Sequence, residues 1–261
     1  MHHLLFILKY FKYLVVANTR NGIHSPFVLK FYDEVVLSDK NYYSFESIKA
    51  VRKALLNNET EITITDFGAG SLYNGGKKKK IKTIAENAAK PEKYGKLYFR
   101  MIAERQPKNI VELGTSLGLS TSYLASASSS SMVNTLEGCP ETAKMAQKVF
   151  NSQKLRNIQI TVGNFDDTFK KVLKNLSSLD LVIINGIDQY EPTVRYFAQC
   201  LPYINENTGI IFDKVHCSEG MEKAWNEIKL HPEVCVSIDL FFVGMVFFKK
   251  GHVKEDFVLK Y

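Results

Sequence analysis

Two glycines at a predicted strand-to-helix turn give the first chemical signal in this sequence. The apolar run 109–113 is followed by Gly114 and Gly118, and residues 120–127 then have a helical pattern. Glycine lets a backbone turn approach a ligand closely, and the free N–H groups of a helix start favour an anion such as a carboxylate. The spacing lacks the third glycine of the dinucleotide-binding pattern, so this loop alone is a weak indication of a ligand site.

An acidic residue follows the second apolar run, 132–136. Glu137 stands 23 positions after Gly114, a place where a carboxylate accepts hydrogen bonds from ribose hydroxyls. The alternative is an exposed loop glutamate without a ligand. The third run, 158–162, leads to Asn164 and Phe165, an amide and a ring suited to the edge and face of adenine.

Polar residues also follow the fourth and fifth apolar runs. Residues 185–188 include Asn185 and Asp188, and residues 213–216 include His216. Ligands of open α/β sheets bind beyond the carboxyl ends of the strands. Polar residues at successive strand ends are therefore a more specific indication of a site than any single loop.

Alternating strands and helices must position these residues. Seven short apolar runs predict strands at 109–113, 132–136, 158–162, 181–184, 209–212, 234–240 and 245–248. Helical patterns separate the first six, which predicts a parallel sheet covered on both faces. The short connection around 242–244 forces the last two strands to pair antiparallel. The predicted fold class is α/β, a Rossmann-like doubly wound, mostly parallel seven-stranded sheet with an antiparallel terminal hairpin strand.

The pattern changes near residue 96, which predicts a helical N-terminal extension (1–96) before the α/β domain (97–261). The extension carries 16 Lys or Arg and 9 Asp or Glu, a net charge of +7, whereas the rest is neutral. Its densest basic part is residues 77–80, which predicts a solvated helix start or a mobile loop. The alternative is a surface for nucleic acid or an acidic substrate.

Composition restricts the class of protein. A chain of 261 residues, 45% hydrophobic and 23% charged, suits a globular domain with a real core. No apolar run approaches the roughly 20 residues of a membrane helix. Residues 4–17 predict an amphipathic helix docked on the body, with a membrane-surface helix as the alternative. The four cysteines form no CxxC pair, which predicts free thiols and a cytoplasmic location.

Residues 109–249 resemble the S-adenosylmethionine-dependent methyltransferases, most closely the catechol and caffeoyl-CoA O-methyltransferase-like branch. Residues 111–121 match the glycine motif of that branch, and residues 241–246 resemble its closing strands. Residues 21–27 together with 136–141 are similar to bacterial members with an extended N-terminus. The resemblance implies S-adenosylmethionine as cofactor. Members are often dimers, so a homodimer is one expectation for this chain.

The resemblance also implies which residues contact the cofactor. They are Glu112, Gly114, Thr115, Ser116, Gly118, Ser120, Glu137, Gly138, Asn164, Phe165 and Asn185. The glycine loop would surround the methionine moiety, and Ser120 would meet its carboxylate. Glu137 would hold the ribose, Gly138 and Asn164 would flank adenine, and Asn185 would stand near the sulfonium.

The chain departs from metal-using members of the family at three positions. Those members end the fourth strand in Asp and the fifth in an Asp-Asn or Asp-Asp pair, which bind a divalent cation. The corresponding residues here are Asn185, Asp213 and Lys214. One carboxylate is too few for a hard cation, and the Lys214 ammonium could itself fill the cation site. We therefore expect no tightly bound metal.

The catalytic base also departs from the family, which places Lys or His about three residues after the fourth-strand Asp. This chain has Asp188 there, and His216 follows Asp213 by three residues. An ordinary histidine pKa suits proton removal near neutral pH. The predicted catalytic residues are therefore Asp188, His216 and Lys214, and the alternative for His216 is a surface histidine.

An earlier segment, residues 61–71, also has the pattern of a strand followed by D-x-G-x-G, beginning at Asp66. No strand ending in an acidic residue follows at the right distance, so we assign the cofactor to the later loop. Residues 61–80 are predicted to form a flexible flap near the acceptor site.

The leading hypothesis is methyl transfer from S-adenosylmethionine to the hydroxyl of a small-molecule acceptor. One alternative is a weak or inactive S-adenosylmethionine-binding protein, suggested by Asn185, Asp188 and Lys214. Another is an RNA methyltransferase, suggested by the basic N-terminal third, although no Asn-Pro-Pro-Tyr-type motif follows the fourth strand. A nicotinamide dinucleotide-binding domain is disfavoured by the glycine spacing and the terminal hairpin.

Overall fold

The computed structural model describes residues 2–65, 77–88, 90–249 and 253–261. The helices in these residues are α1 (His2–Val16), α2 (Pro26–Phe31), α3 (Tyr43–Leu56), α4 (Ile81–Ala88), α5 (Glu92–Arg105), α6 (Leu119–Ser126), α7 (Pro140–Ser152), α8 (Phe165–Lys174), α9 (Tyr190–Cys200) and α10 (Glu219–Leu230). The strands are β1 (Glu61–Ile64), β2 (Lys77–Lys80), β3 (Asn109–Leu113), β4 (Met132–Glu137), β5 (Ile158–Val162), β6 (Leu181–Ile184), β7 (Gly209–Asp213), β8 (Val236–Asp239), β9 (Val243–Phe247) and β10 (Glu255–Val258).

The chain forms two compact units. The central unit is Ser38–Leu176, and the terminal unit combines Met1–Leu37 with Ser177–Tyr261. The predicted boundary after residue 96 lies inside α5, so these units are not the two predicted segments. The division into an N-terminal extension and a methyltransferase domain stays a prediction.

Three parallel strands form the sheet of the central unit, in the order β3-β4-β5. In register, Asn109 lies opposite Met132, and Val133 lies opposite Ile158. Helices α6 and α7 make the connections, as parallel pairing requires. Pro140 occupies the first turn of α7, where its missing N–H costs no hydrogen bond.

A separate antiparallel hairpin, β1–β2, also belongs to the central unit, with Glu61 opposite Lys80. All four residues of β2 are exposed lysines, which corrects the predicted helix start or loop at 77–80. An exposed lysine strand is stable here because β1 supplies its hydrogen-bonding partner, and lysine blunts a sheet edge against further pairing. The predicted segment 66–70 and residues 71–76 lie outside the described residues.

The terminal unit holds five strands in the order β10-β8-β9-β7-β6. Strands β6 and β7 are parallel, whereas β9 pairs antiparallel with both β7 and β8. The α/β class and the antiparallel hairpin are therefore confirmed. Strand β10, parallel to β8, was not predicted. The described α/β strands therefore number eight rather than seven, three in the central unit and five in the terminal unit.

Helix α1 packs within the terminal unit, where its aromatic rings contact the C-terminal segment, as its amphipathic pattern predicted. The ring centroids of Phe6, Tyr10 and Tyr13 lie 5.3, 4.9 and 5.2 Å from that of Phe241. The Tyr13 hydroxyl also donates a hydrogen bond of 2.6 Å to the backbone oxygen of Leu259. In the described part of the chain, no helix is long and apolar enough to cross a membrane.

Candidate functional site

The glycine loop of the central unit turns sharply between β3 and α6. Gly114, Ser116 and Gly118 all have positive φ angles, of 92°, 50° and 81°. The backbone N–H groups of Gly114 and Thr115 donate to the oxygen of Leu136 at 2.9 and 3.1 Å. The loop is thereby held against the end of β4, where the predicted ribose-binding residue lies.

Glu137 joins the glycine loop to the end of β4. Its Oε2 accepts a hydrogen bond from the Ser116 N–H at 2.8 Å, and its Oε1 accepts one from the Cys139 N–H at 2.9 Å. Burial raises the pKa of Glu137, while hydrogen bonds from Cys139, Ser116 and Gly138 lower it. Each carboxylate oxygen has lone-pair capacity beyond one amide, so Glu137 can still accept from a ligand hydroxyl.

Glu112 is a fully buried carboxylate at the end of β3. Its Oε2 accepts hydrogen bonds from Thr121 at 2.5 Å and from Thr135 at 2.7 Å. Its Oε1 has no hydrogen-bond partner among the described residues. Burial raises the pKa of Glu112 to about 7, although the two threonine hydroxyls lower it in part. A buried unsatisfied acceptor is costly, which makes this oxygen a natural place for a ligand cation.

Sequence reasoning missed both threonines that hold Glu112. Thr135 lies directly opposite Glu112 in the β3–β4 register, and Thr121 follows the glycine loop in α6. Strand alternation could have indicated Thr135, since paired residues in neighbouring strands share a face. The bond from Thr121 depends on the tertiary turn and has no signal in the sequence.

The predicted adenine-binding residues follow β5. Gly163 has a φ angle of 146° and donates its N–H to the Glu137 backbone oxygen at 3.0 Å. Asn164 caps α8, because its Oδ1 accepts from the Asp166 N–H at 3.0 Å, and Phe165 is partly exposed in the first turn. The end of β5 is therefore tied to the backbone of the ribose-binding residue.

The β1–β2 hairpin contacts the segment that follows Glu137. The Thr65 N–H lies 3.4 Å from the Cys139 sulfur, and that thiol lies 3.5 Å from the Thr63 oxygen. The predicted flap thus begins beside Cys139, two residues after the end of β4. Its flexibility and its relation to an acceptor stay predictions.

The other predicted site residues lie in the terminal unit, where they follow β6 and β7. Asn185 is partly exposed and Asp188 is exposed, with the Asp188 backbone oxygen accepting from the Ser218 hydroxyl at 2.7 Å. Lys214 is exposed with a φ angle of 57°, and its N–H donates to the Phe242 oxygen at 2.6 Å.

His216 is held between two carboxylates. Its Nδ1 lies 3.0 Å from a Glu222 oxygen, and its Nε2 lies 2.8 Å from an Asp239 oxygen. Burial lowers the pKa of His216, but Asp239 and Glu222 outweigh burial and raise it. Each ring nitrogen faces a carboxylate. In the protonated ring, which the raised pKa favours, both nitrogens donate and neither offers a lone pair to a substrate proton. This geometry argues against His216 as the general base.

We call Glu222 and Asp239, the two carboxylates that hold His216, the His216 clamp. The clamp predicts that the stability of the fold depends on pH. A raised histidine pKa stabilises the fold fully below the unfolded value of 6.5, and this contribution is lost as pH rises through the folded value. The lowered pKa values of Glu222 and Asp239 mean that their contribution is lost on acidification. We expect His216→Gln to lower the melting temperature by about 5 °C near pH 6, and by less at pH 9.

His24→Gln is the matched control for this melting experiment. His24 is largely exposed and lies 3.3 Å from Glu255, an arrangement that contributes little to stability. An equal loss for both variants, or a His216→Gln loss that does not vary with pH, would contradict the clamp.

Comparison with known proteins identifies the fold. Residues 111–215 match the family model of a methyltransferase domain. The O-methyltransferase from Bacillus cereus in complex with SAH (S-adenosylhomocysteine) is similar in structure, with a TM-score of 0.56 and 19% identity. The match covers 84% of this chain and 96% of that one. This chain has the methyltransferase fold. The methyltransferase fold that the resemblance of residues 109–249 implied is confirmed.

Two further structures extend the comparison. The SAM-bound O-methyltransferase TomG from Streptomyces achromogenes has a TM-score of 0.57 and 15% identity, covering 85% of this chain and 95% of that one. The SAH-bound methyltransferase PaMTH1 from Podospora anserina has a TM-score of 0.55 and 15% identity, covering 82% and 100%. No curated protein sequence matches this chain.

The residues at the family's metal positions do not fit a hard cation. Asn185, Asp213 and Lys214 supply one carboxylate, and an ammonium there repels a metal ion. In the described residues, no three His, Cys, Asp or Glu side chains are grouped so that they could hold a metal. The absence of a tightly bound metal stays a prediction.

Proposed function

We propose that this protein is an S-adenosylmethionine-dependent O-methyltransferase that acts on a small-molecule hydroxyl. The observation that carries the proposal is the Glu137 carboxylate, which ties the glycine loop to the end of β4 through the Ser116 and Cys139 amides. The methyltransferase-domain match at 111–215 supports the same reaction class. Similar structures were solved with SAM or SAH bound, including two O-methyltransferases.

The central unit offers groups that fit the three parts of this cofactor. Glu137 would accept from the ribose hydroxyls, and the bare Oε1 of Glu112 would accept from the methionine ammonium. The first turn of α6, including Ser120, would donate to the carboxylate, because no side chain caps that helix. Gly138, Asn164 and Phe165 would flank adenine.

When bound, S-adenosylmethionine supplies an electrophilic methyl group on a sulfonium, and its transfer to an acceptor oxygen leaves a neutral thioether. The chain contributes binding and orientation, which account for much of the rate of such a displacement. The acceptor proton needs a base or water. Asp188 retains an exposed carboxylate for that role, whereas His216 does not offer a lone pair.

Calorimetric titration with S-adenosylmethionine in the presence of EDTA tests the cofactor, and release of S-adenosylhomocysteine from a panel of phenols and catechols tests transfer. We expect micromolar binding without metal, and turnover on at least one hydroxyl. Absence of binding would overturn the proposal. Binding without turnover on any acceptor would instead favour an inactive S-adenosylmethionine-binding protein, the alternative that the clamped His216 supports.

The pKa of Glu112 predicts how cofactor affinity changes with pH. With a pKa of about 7, Glu112 is mostly neutral at pH 5.5 and half ionised at pH 7, while the cofactor ammonium stays protonated. We expect affinity to rise by about tenfold over this interval. The Glu112→Gln variant should bind weakly and show no such rise in the same titrations. If the affinity of the parent protein does not change from pH 5.5 to 7, Glu112 does not contact the cofactor ammonium.

Location and partners follow as part of the proposal. We place the protein in the cytoplasm, because its four cysteines are free thiols. A homodimer remains an expectation of the family resemblance. Nucleic acid is a weaker candidate for the acceptor, and salt-sensitive RNA binding by the β2 lysines would revive it.

A further inference from the structure

Helix α1 has two apolar faces. One packs against the rest of the terminal unit, and the other is exposed. Phe6, Tyr10 and Tyr13 pack on the Phe241 ring. Among residues 6–16 of α1, the exposed large apolar side chains are Ile7 (40%), Leu8 (56%), Phe11 (61%), Val15 (85%) and Val16 (52%). Single exposed apolar residues are ordinary, but a contiguous set marks an interaction surface.

The exposed residues form one continuous stripe. Positions 7, 8, 11, 12, 15 and 16 recur at the three- and four-residue spacing of one helix face. Lys12 is the single charged residue among these six. The other lysine of the helix, Lys9, is turned to an ion pair with Glu222 at 2.5 Å. We call residues 7, 8, 11, 12, 15 and 16 the outer stripe.

We propose that the outer stripe binds an anionic lipid surface, with α1 lying in the plane of the membrane interface. An amphipathic helix with an apolar face and lysine binds such surfaces through buried apolar area and attraction to anionic lipid. The chain carries a net charge of +7. Exposed Lys260 adds a cation near the end of α1, since its N–H donates to the Asn18 oxygen at 3.0 Å.

A second copy of the chain fits the outer stripe less well. A stable dimer buries about 800 Å² on each partner, whereas five partly exposed side chains offer roughly 300 Å². Two chains of charge +7 also repel each other. A 15-residue helix is about 22 Å long, which suits a helix that lies on a bilayer rather than one that crosses it.

Vesicle co-sedimentation of the full chain tests this proposal independently of methyl transfer. We expect the protein to pellet with phosphatidylcholine vesicles that contain phosphatidylglycerol, and much less with phosphatidylcholine alone. The double variant Phe11→Ser/Val15→Ser should lower the partition coefficient by about tenfold or more. Leu230→Ser is the matched control, because Leu230 is a 77% exposed leucine at the end of α10.

Two charge-reversal variants distinguish the effect of a lysine in the outer stripe from the effect of net charge. Lys12→Glu should weaken binding by several-fold, whereas Lys53→Glu, at an exposed position on α3, makes the same change in net charge and should have a smaller effect. Three results would overturn the proposal. These are a parent that stays in the supernatant, an unchanged Phe11→Ser/Val15→Ser partition, and a dimer in sedimentation velocity that this double variant converts to monomer.

Discussion

Replacing Glu137 by glutamine is expected to weaken S-adenosylmethionine binding by about 100-fold. The carboxylate accepts from the amides of Ser116 and Cys139 at 2.8 and 2.9 Å. A glutamine has one acceptor oxygen and would turn its NH₂ group toward one of these N–H donors. Charge-assisted hydrogen bonds contribute about 1.5–3 kcal/mol each, so loss of one bond to the ribose alone lowers affinity by about 10- to 100-fold. Loosening of the glycine loop adds to this loss. Calorimetric titration measures it directly.

Glu141→Gln is the control for that titration. Glu141 lies four residues further on, in the first turn of α7, and pairs at the surface with Lys144 at 2.7 Å. The same chemical change at this position should leave affinity within about twofold. If both variants bind S-adenosylmethionine as tightly as the parent does, Glu137 only stabilises the glycine loop and does not contact the ribose.

Replacing Gly118 by alanine is expected to destabilise the fold and distort the glycine loop. Gly118 has a φ angle of 81°, and a Cβ atom there would lie 2.6 Å from the Phe150 ring. The left-handed backbone costs about 1–2 kcal/mol for alanine, and overpacking costs about 1–3 kcal/mol more. We expect the free energy of unfolding in urea to fall by roughly 2–5 kcal/mol, and the affinity for cofactor to fall with it.

The two causes of that loss can be separated with Phe150→Leu. A shorter side chain removes the ring atoms that meet the new Cβ, while the backbone strain at Gly118 remains. The double variant should therefore be about 1–2 kcal/mol more stable than the sum of the single effects. Strict additivity of the two losses would show that backbone strain alone accounts for the cost.

Much of the α/β fold is readable from local pattern. The strands β3, β5 and β6 lie at the predicted residues, because short apolar runs bounded by polar turns have few other solutions. Strand β10 was missed since Glu255–Val258 is short and half charged, and only its pairing with β8 makes it a strand. Strand β2 was missed for the same reason, because four lysines do not form an apolar pattern.

The residues of the candidate site likewise differ in how far the sequence predicts them. The position of Glu137 at the end of β4 was predictable, since it depends on chain order and sheet geometry. The clamp on His216 was not, because Asp239 lies 23 residues away in a different strand. Spacing suggested a free histidine beside a strand end, and tertiary packing gives it two carboxylate partners. The position of a residue at a strand end can be predicted from the sequence. The contacts of a residue with partners far along the chain cannot.

The contact between α1 and the last strand region has a consequence for synthesis on the ribosome. Tyr13 and the Leu259 oxygen that it bonds are 246 residues apart. At about 5–20 residues per second, roughly 12–50 seconds of translation separate the two. Phe241, whose ring packs against Phe6, Tyr10 and Tyr13 of α1, is also synthesised late. Through that interval the aromatic face of α1 lacks both the Phe241 ring and the Leu259 oxygen, so the helix cannot dock until the end of the chain has been made.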